Sequence, residues 1–256
     1  MGLLTVSIVS HGHGAQVVPL LMQLGRLSSA VLAQVVLTVN APELEAGINH
    51  ADATLAGRLN LKLTHNSAPM GFGANHNQAF AHCASPFFCV MNPDIELPDA
   101  AAAIQALLDA MAPTRAGLAY PIQTDTQGTV LDFARELVTP ISLLKRHTFA
   151  NSFTRADATT PVDWVSGALM VFKTSVYAQL RGFDERYFLY CEDVDICMRI
   201  QLAGFTMERS SAVVVHDTQR LTLKRLRHLT WHVRSLWRLW HSQAYKDFLL
   251  FKEKNE

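Results

Sequence analysis

The tripeptide Asn92-Pro93-Asp94 follows an apolar run and carries groups that could bind a divalent cation. Asn92 and Asp94 are two residues apart, so in an extended segment both side chains point to the same side. Pro93 favours that extended conformation for the residue before it. Amide and carboxylate oxygens suit Mg²⁺ or Mn²⁺. The same residue types are also standard in turns, and taken alone the tripeptide favours a turn.

The segment Glu192-Asp193-Val194-Asp195 places three carboxylates at the start of a predicted helix. Acidic residues there are favourable to the helix dipole, and Asp195 has the spacing of a surface ion pair with Arg199. Asp193 differs, because helical spacing puts it on one face with apolar Ile196, Cys197 and Ile200. A carboxylate on a buried face is costly without a partner or a task. We therefore interpret Asp193 as a candidate base whose pKa partial burial would raise, with a structural role left open.

Three other features allow both a functional and a structural interpretation. His216 ends an apolar strand as Asp94 does, although most single histidines are structural. Trp164 precedes Ser166-Gly167, and its indole could pack in the core or stack on a sugar ring. A string of Asn and Gly residues from Asn66 to Asn77 matches neither a dinucleotide fingerprint nor a Walker loop. It could approach a base or ribose, or simply lead into a helix.

Apolar runs alternate with segments of helical spacing along the chain. Predicted strands are Leu3 to Ser10, Ala33 to Val39, Leu59 to Thr64, Pro86 to Met91, Leu169 to Phe172 and Ala212 to Val215. Predicted helices are about 15–28, the stretch ending at Ala84, Ala100 to Met111 and Glu192 to Ala203. This alternation predicts an α/β fold, with a largely parallel sheet covered by helices on both faces. Ligands of such sheets bind beyond the carboxyl ends of the strands, where His11, Asn40, Asn66 to Gly73 and Asn92 to Asp94 would lie.

The C-terminal segment from about Leu221 to Trp240 is amphipathic. Its apolar side is formed by Leu226, Leu229, Val233, Leu236, Trp237 and Trp240. Basic residues occur throughout it, and no acidic residue lies between Asp217 and Asp247. This pattern fits a helix on an anionic membrane surface. Packing on its own domain or on a dimer partner is an equally open interpretation. Upstream, the polar segment Ala150 to Pro161 is predicted to be a mobile loop.

Composition narrows the class of protein. The 256 residues suit one large domain or a domain with an appendage, and 49% hydrophobic residues allow a sizeable core. Lys+Arg and Asp+Glu both total 22, which argues against a nucleic-acid binder. The four cysteines show no metal-binding spacing and indicate reduced thiols. Neither a signal peptide nor an apolar run of about 18 residues is present, which predicts a cytoplasmic location.

Taken in order, several segments resemble family 2 glycosyltransferases with the GT-A (Rossmann-like) fold, particularly bacterial rhamnosyltransferase-like members. They cover about residues 3–216 and end in the strongest match, the acidic helix start. The matching segments are Val6-Ser7-Ile8-Val9-Ser10-His11, Gly71-Phe72-Gly73-Ala74-Asn75-His76-Asn77, Met91-Asn92-Pro93-Asp94-Ile95, Trp164-Val165-Ser166-Gly167-Ala168, Gly182-Phe183-Asp184-Glu185 and Tyr187-Phe188-Leu189-Tyr190-Cys191-Glu192-Asp193-Val194-Asp195.

The resemblance implies a role for each candidate residue. Asn92-Pro93-Asp94 stands where the family has its DxD motif, so Asp94 would bind Mg²⁺ or Mn²⁺, His216 would complete the metal site and Asp193 would be the general base. The nucleotide would lie near Ser10, His11, Asn40, Asn66, Gly71, Phe72, Gly73, Asn77 and Asn92, and the acceptor near Trp164, Gly167 and Glu192. The chain departs from the family at Asn92, which replaces the first aspartate of the motif, and at Asn40, which replaces a frequent acid.

The implied activity is inverting transfer of a sugar from a nucleoside-diphosphate sugar to a hydroxyl of a glycan or lipid-linked glycan. Rhamnose from dTDP-rhamnose is the preferred donor, with UDP-sugars second, in cell-surface polysaccharide synthesis such as O-antigen of lipopolysaccharide. A GT-A domain would span 1–217, with a nucleotide-binding half at about 1–97 and an acceptor half at about 98–217. A basic tail, 218–256, would contact the inner face of the cytoplasmic membrane through 220–241, and a homodimer stays open.

Two rival functions fit the same fold class. A sugar nucleotidyltransferase would carry a Gly- and basic-rich loop after the first strand, whereas His11-Gly12-His13-Gly14 has no Lys or Arg. A catalytically silent module that binds nucleotide sugar in a polysaccharide assembly complex would have no need of a base. Asp193 on a buried helix face therefore argues against a silent module.

Overall fold

The computed structural model of the chain describes residues 2–41, 59–137, 139–140, 162–216 and 225–255. Its strands are β1 Leu4–Ser10, β2 Leu32–Val39, β3 Leu61–His65, β4 Phe87–Met91, β5 Ile95–Glu96, β6 Ala116–Thr124, β7 Ala134–Arg135, β8 Trp164–Val165, β9 Leu169–Lys173 and β10 Thr206–His216. Its helices are α1 Gly14–Leu24, α2 Phe72–Phe80, α3 Ala100–Ala110, α4 Thr174–Gln179, α5 Glu192–Leu202, α6 Arg225–His241 and α7 Gln243–Asn255.

An 8-stranded sheet with the order β3-β2-β1-β4-β9-β6-β10-β5 forms the centre of the molecule. The pairs β3–β2, β2–β1, β1–β4 and β6–β10 are parallel. β9 runs antiparallel between β4 and β6, and β5 runs antiparallel on β10. The short strands β7 and β8 pair separately as an antiparallel ribbon. The sheet is therefore mostly parallel, as predicted.

Helices cover both faces of the sheet, and successive residues of its strands point to opposite sides. Residues of one parity, such as Leu4, Val6 and Ile8 of β1, join α1 and α3 in one apolar cluster. Residues of the other parity, such as Phe88 and Val90 of β4, join α4 and α5 in a second. Helices on both faces confirm the predicted α/β class.

The second half of the chain contains elements that periodicity did not predict. β6 was missed because its sequence, AGLAYPIQT, includes a glycine and a proline that usually interrupt strands. The last strand was predicted from Ala212 but begins at Thr206, since its first residues are mainly polar. A register shift between Arg209 and Val213 separates that polar half from the apolar half. The loop predicted at Ala150 to Pro161 lies outside the described residues.

Helices α6 and α7 pack on the second cluster, through Leu236, Leu239, Tyr245 and Phe248. The predicted apolar side of the C-terminal segment is therefore divided between two faces of α6. Leu236 faces the domain, whereas Leu229, Val233 and Trp237 are 57%, 57% and 62% exposed. Within the described ranges, no helix combines the length and the apolar character needed to cross a membrane.

We expect Phe248→Ala to lower the free energy of unfolding by about 3–5 kcal/mol, because it removes a fully buried aromatic ring from the contact of α7 with the domain. Leu250→Ala on the same helix is the matched control, since Leu250 is 55% exposed. Its expected effect is about 0.5 kcal/mol. Urea unfolding of both variants measures the difference. Equal losses would contradict the packing of α7 on the domain.

Candidate active site

Polar residues that follow β1, β2, β3 and β4 meet at one edge of the sheet. Asn40 N donates to Ser10 O (2.8 Å), and Asn66 N donates to Val39 O (3.0 Å). Asn92 N donates to Ala168 O (2.8 Å), which ties the end of β4 to the segment entering β9. His11 is half-buried at the end of β1, whereas Ser10 is buried. The structure thus places the predicted edge residues along one rim, as parallel strands require.

The side chain of Asn40 organises the loop that leads into α2. Its Oδ1 accepts hydrogen bonds from Asn66 Nδ2 (2.8 Å) and Met70 N (2.8 Å), and its Nδ2 donates to Met70 O (3.0 Å). Asn66 Nδ2 also donates to Asn75 Oδ1 (2.6 Å), and Asn75 Nδ2 donates to Gly71 O (2.8 Å). Because its amide is engaged within the protein, Asn40 sets the loop shape. Asn75, a residue that was not predicted to belong to the site, completes this network.

Gly71 and Gly73 are required by close packing between α2 and the segment before α5. A Cβ at Gly71 would lie 2.8 Å from Phe188 O, and one at Gly73 would lie 2.6 Å from Phe183 Cβ. Phe72 N donates to Phe188 O (2.9 Å) at the same contact. These glycines therefore join the rim of the sheet to the acidic helix start.

Asn77 belongs to the same junction. Its Oδ1 accepts from Tyr177 Oη (2.7 Å) and Phe183 N (2.9 Å), while its Nδ2 donates to Phe183 O (2.9 Å) and Glu185 Oε1 (3.0 Å). Both polar atoms are used within the protein. This packing role accounts for Asn77 without a nucleotide.

Asp94 and His216 face each other where β5 pairs with the end of β10. His216 Nε2 lies 3.5 Å from Asp94 Oδ1, and this buried oxygen accepts no hydrogen bond from the described residues. A carboxylate oxygen and an imidazole nitrogen that face each other fit a divalent cation. No group of three His, Cys, Asp or Glu ligands occurs among the residues with described positions. Mg²⁺ commonly takes its remaining ligands from substrate phosphates and water.

The backbone before α5 is strained. Tyr190 and Cys191 have φ of 72° and 66°, in the left-handed region that residues with a side chain rarely adopt. Each such residue costs about 1–3 kcal/mol and persists only where surrounding contacts enforce it. Helix α5 starts at the next residue, Glu192. The strained turn therefore sets the direction in which the first-turn carboxylates of α5 point.

Asp193 is half-buried and bound by backbone amides. Its Oδ1 accepts from Val194 N (2.9 Å), and its Oδ2 accepts from Gly167 N (3.2 Å). Burial raises the pKa of this carboxyl, and the two amides and the charge of Arg135 oppose the increase. Its neighbours Ile196, Cys197 and Ile200 are fully buried, as helical spacing predicted. Asp193 thus combines a raised pKa with a fixed orientation, which is what a general base requires.

The other two carboxylates of α5 are more deeply buried than expected. Glu192 and Asp195 are only 5% and 3% exposed, so the surface position predicted for the Asp195–Arg199 pair is wrong. Asp195 does pair with Arg199 (2.7 Å), but the pair is buried, and Arg199 also donates to Leu180 O and Gly182 O. Helical spacing could not predict this, because the turn at residues 180–184 covers that side of the helix. The Arg199 contacts hold this turn against α5.

Glu192 is a buried carboxyl with an unpartnered oxygen. Its Oε2 has no hydrogen-bond partner among the described residues. Burial, and then the charge of Asp193, raise the pKa of Glu192 well above its ordinary value. Burial in this position therefore shifts the carboxyl toward its neutral form, and a neutral carboxyl can donate a hydrogen bond.

The β7–β8 ribbon lies next to Asp193. Trp164 is 7% exposed, its Nε1 donates to Glu136 O (2.9 Å), and the Arg135 guanidinium lies 5.1 Å from the centre of its ring. This burial favours the packing interpretation of Trp164. A Cβ at Gly167 would lie 3.4 Å from Asp193 Cβ and 3.5 Å from the Phe72 ring. Arg135 was not predicted as a site residue, since nothing in its local sequence pattern marks it.

The chain is similar to two curated rhamnosyltransferases, while no protein-family model matches it. It is 31% identical over 188 residues to N-acetylglucosaminyl-diphospho-decaprenol L-rhamnosyltransferase of Mycobacterium tuberculosis, over 64% of this chain and 61% of the relative. It is 37% identical over 84 residues to rhamnosyltransferase WbbL of Escherichia coli, over 31% of each chain. The chain thus spans 61% of the length of the first relative.

Solved glycosyltransferase structures share the fold. The mannosyltransferase PcManGT of Pyrobaculum calidifontis, in complex with GDP-Man and Mn²⁺, has a TM-score of 0.60 at 18% identity, over 92% of this chain and 64% of its own. GalNAc-T7, with UDP, GalNAc and Mn²⁺, has a TM-score of 0.64 at 16% identity, over 84% and 43%. TarS of S. aureus has a TM-score of 0.61 at 13% identity, over 94% and 40%. These likenesses establish the GT-A fold.

We expect Glu192→Gln to flatten the loss of stability with rising pH. Because the pKa of Glu192 is raised in the folded protein, its protonation adds to the free energy of unfolding. This contribution is complete at pH values below the ordinary pKa of 4.5, and it is lost as pH rises through the folded-state pKa. Glutamine keeps the shape of the neutral acid but does not ionise. Urea unfolding at a series of pH values above about 4.5 measures the effect.

Glu253→Gln is the matched control, because Glu253 is an exposed carboxyl on α7. It should leave the pH dependence of stability unchanged. Parallel pH profiles of the wild type and Glu192→Gln would contradict the buried position of Glu192.

Proposed function

Because the chain has the GT-A fold and resembles family 2 rhamnosyltransferases, we propose that it is an inverting glycosyltransferase. Its proposed donor is a nucleoside-diphosphate sugar, with dTDP-rhamnose preferred and UDP-sugars second. Its proposed acceptor is a hydroxyl of a glycan or lipid-linked glycan. The relative from Mycobacterium tuberculosis carries a lipid-linked acceptor in its name, which supports this choice of acceptor.

One junction supports the proposal most directly. Gly167 N donates to Asp193 Oδ2, and the next residue, Ala168, accepts a hydrogen bond from Asn92 N. Two consecutive residues thus connect the proposed base to the segment that carries Asp94. A base held close to a nucleotide-binding rim is what a displacement at a sugar carbon needs, since both substrates must be positioned together.

In the proposed reaction, the acceptor oxygen attacks the anomeric carbon from the face opposite the leaving nucleoside diphosphate. Asp193 accepts the hydroxyl proton as the new C–O bond forms and the bond to the diphosphate breaks. Transfer therefore falls as pH drops through the raised pKa of Asp193. The amides of Gly167 and Val194 stabilise its charged form and orient it.

Asp94 and His216 would hold Mg²⁺ or Mn²⁺ on the donor side. The two donor atoms face each other at 3.5 Å, which supports a shared cation. Such a cation, when bound, stabilises negative charge on the departing diphosphate. Asn92 contributes no carboxylate here, so Asp94 supplies the anionic charge of this tripeptide.

The nucleotide and acceptor residues are proposed from the geometry of the rim. Ser10, His11 and Asn92 would contact the nucleotide directly, whereas Asn40, Asn66 and the residues Gly71 to Asn77 would act by shaping the loop between them. Gly167 and Glu192 would line the acceptor side next to Asp193. As a neutral acid, Glu192 could donate a hydrogen bond to an acceptor oxygen.

The exposed stripe of α6, formed by Leu229, Val233 and Trp237, supports contact with an anionic membrane surface. These residues lie one turn apart, and exposed Arg234 lies beside them. No acidic residue occurs in α6, so the charge of the helix complements anionic lipids. The opposite face docks beside the acceptor side, where Ser235 Oγ donates to Leu189 O (2.8 Å) and Tyr190 Oη bonds His228 Nδ1 (2.8 Å). A lipid-linked acceptor would then lie close to Asp193, at the inner face of the cytoplasmic membrane.

We expect Asp193→Asn to lower kcat by about 10²–10⁴-fold, because the amide cannot accept the acceptor proton. Donor binding should stay near the wild-type value, measured as the thermal shift with dTDP-rhamnose and UDP-sugars in the presence of Mn²⁺. Release of nucleoside diphosphate with an acceptor present measures transfer. Release of pyrophosphate in a separate reaction with a nucleoside triphosphate and a sugar 1-phosphate, with no transfer from the nucleoside-diphosphate sugar, would indicate a nucleotidyltransferase.

Asp109→Asn is the matched control, because Asp109 is an exposed carboxyl near the end of α3 that has no role in the proposed site. It should transfer sugar like the wild type. Transfer by Asp193→Asn at the level of this control would refute the base assignment.

We expect Val233→Ser together with Trp237→Ser to weaken co-sedimentation with vesicles of anionic lipid, because both changes remove exposed apolar area from the stripe. Leu249→Ser with Leu250→Ser, on the exposed side of α7, is the matched control. Equal binding by both variants would contradict a lipid-facing stripe. In that case, a lower mass of the Val233→Ser/Trp237→Ser variant than of the wild type in sedimentation equilibrium would assign the stripe to a dimer interface.

A further inference from the structure

Gln123 lies near the end of β6, opposite Val214 of β10, and is only 2% exposed. A buried amide side chain is costly unless it forms hydrogen bonds. Gln123 Oε1 lies 3.1 Å from His216 Nδ1, on the side of the imidazole away from Asp94. The amide therefore contacts the proposed metal ligand His216 at the ring nitrogen that does not face Asp94.

With its oxygen facing the ring, the Gln123 amide indicates which nitrogen of His216 carries the proton. An amide oxygen only accepts hydrogen bonds, so His216 Nδ1 must be the N–H donor. In the neutral ring, Nε2 then keeps its lone pair, which points toward Asp94 Oδ1 at 3.5 Å. If Nε2 instead carried a hydrogen, a bond to Asp94 would be expected at about 2.7–3.2 Å. Asp94 Oδ1 accepts no such bond from the described residues, which supports the first assignment.

We propose that Gln123 is a positioning residue that fixes the Nδ1–H tautomer of His216, so that Nε2 and Asp94 Oδ1 face one divalent cation. This inference rests on the metal site of the proposed function. Histidine ligands generally donate their second N–H to an oxygen, which sets the tautomer and the ring orientation. Gln123 supplies that oxygen from a different strand, 93 residues from His216 in the chain.

The departure at Asn92 increases the importance of this contact. The tripeptide Asn92-Pro93-Asp94 offers one carboxylate where the family motif has two, so fewer anionic groups attract the cation. The remaining protein ligands must then be well oriented before the cation binds. A buried amide behind His216 provides that orientation without adding charge.

Mn²⁺ affinity tests the proposal directly. Isothermal titration of the metal-free full chain with Mn²⁺, in the presence of dTDP or UDP, gives the dissociation constant without measuring transfer. Gln123→Met keeps a similar length but removes the acceptor, and should weaken Mn²⁺ binding by about 10–100-fold. Gln123→Glu restores an acceptor for Nδ1–H. Its Mn²⁺ affinity should be higher than that of Gln123→Met and close to that of the wild type.

Thr124→Val is the matched control. It removes the hydrogen bond from Thr124 Oγ1 to Val214 O (3.4 Å), between the same two strands, without removing a contact of His216. Its Mn²⁺ affinity should equal that of the wild type. Weakening by Thr124→Val as strong as that by Gln123→Met would overturn the proposal, because any disturbance of the strand pair would then suffice.

The tautomer itself gives a second readout that needs no metal. ¹⁵N NMR of histidine-labelled, metal-free protein distinguishes Nδ1–H from Nε2–H rings, and a His216→Ala sample identifies the signal. We expect Nδ1–H in the wild type and Nε2–H in Gln123→Met. An Nε2–H ring in the wild type would overturn the inference. Absence of Mn²⁺ binding to the wild type would instead refute the proposed metal site, and the NMR result would still test Gln123.

Discussion

The site depends on the short connection between β8 and β9, where two consecutive residues bind the start of α5 and the end of β4. Gly167 N holds the Asp193 carboxylate, and Ala168 O holds the backbone of Asn92. The connection also packs beside Asp193 and the Phe72 ring, at distances where a Cβ on residue 167 would make ordinary van der Waals contacts. Because β9 is antiparallel between β4 and β6, it starts at the edge where its parallel neighbours end. The connection therefore lies on the rim where the polar residues collect.

The second constraint is electrostatic, since α5 begins with buried carboxyls. Asp195 is compensated by Arg199, and Asp193 by two backbone amides and the charge of Arg135. At Glu192, burial and then the charge of Asp193 outweigh its backbone hydrogen bond and raise its pKa, which shifts the carboxyl toward the neutral form. The turn at Tyr190 and Cys191 holds this arrangement in a strained backbone conformation. Strained residues of this kind cluster at functional sites. The strain therefore points to a requirement of the site.

The C-terminal helices support the same side of the site. Lys252 of α7 forms an ion pair with Asp163 (2.8 Å), which precedes Trp164 and also accepts a hydrogen bond from Leu137 N (2.6 Å). Helix α6 meets the strained turn through the Tyr190–His228 hydrogen bond. Packing and an exposed apolar stripe thus occur on opposite faces of α6. The two interpretations of the C-terminal segment that the sequence left open are therefore compatible, with the membrane role still a proposal.

The sequence alone determined the alternation of strands and helices, the rim at which polar residues follow strands, and the unusual position of Asp193. These features depend on local periodicity, which burial imposes on each element separately. Only the tertiary structure decided which residues support the site. Gln123 behind His216, Arg135 over Trp164 and the burial of Glu192 all join segments distant in the chain. Such contacts depend on strand order and register, and spacing along one strand or helix carries no information about its neighbours.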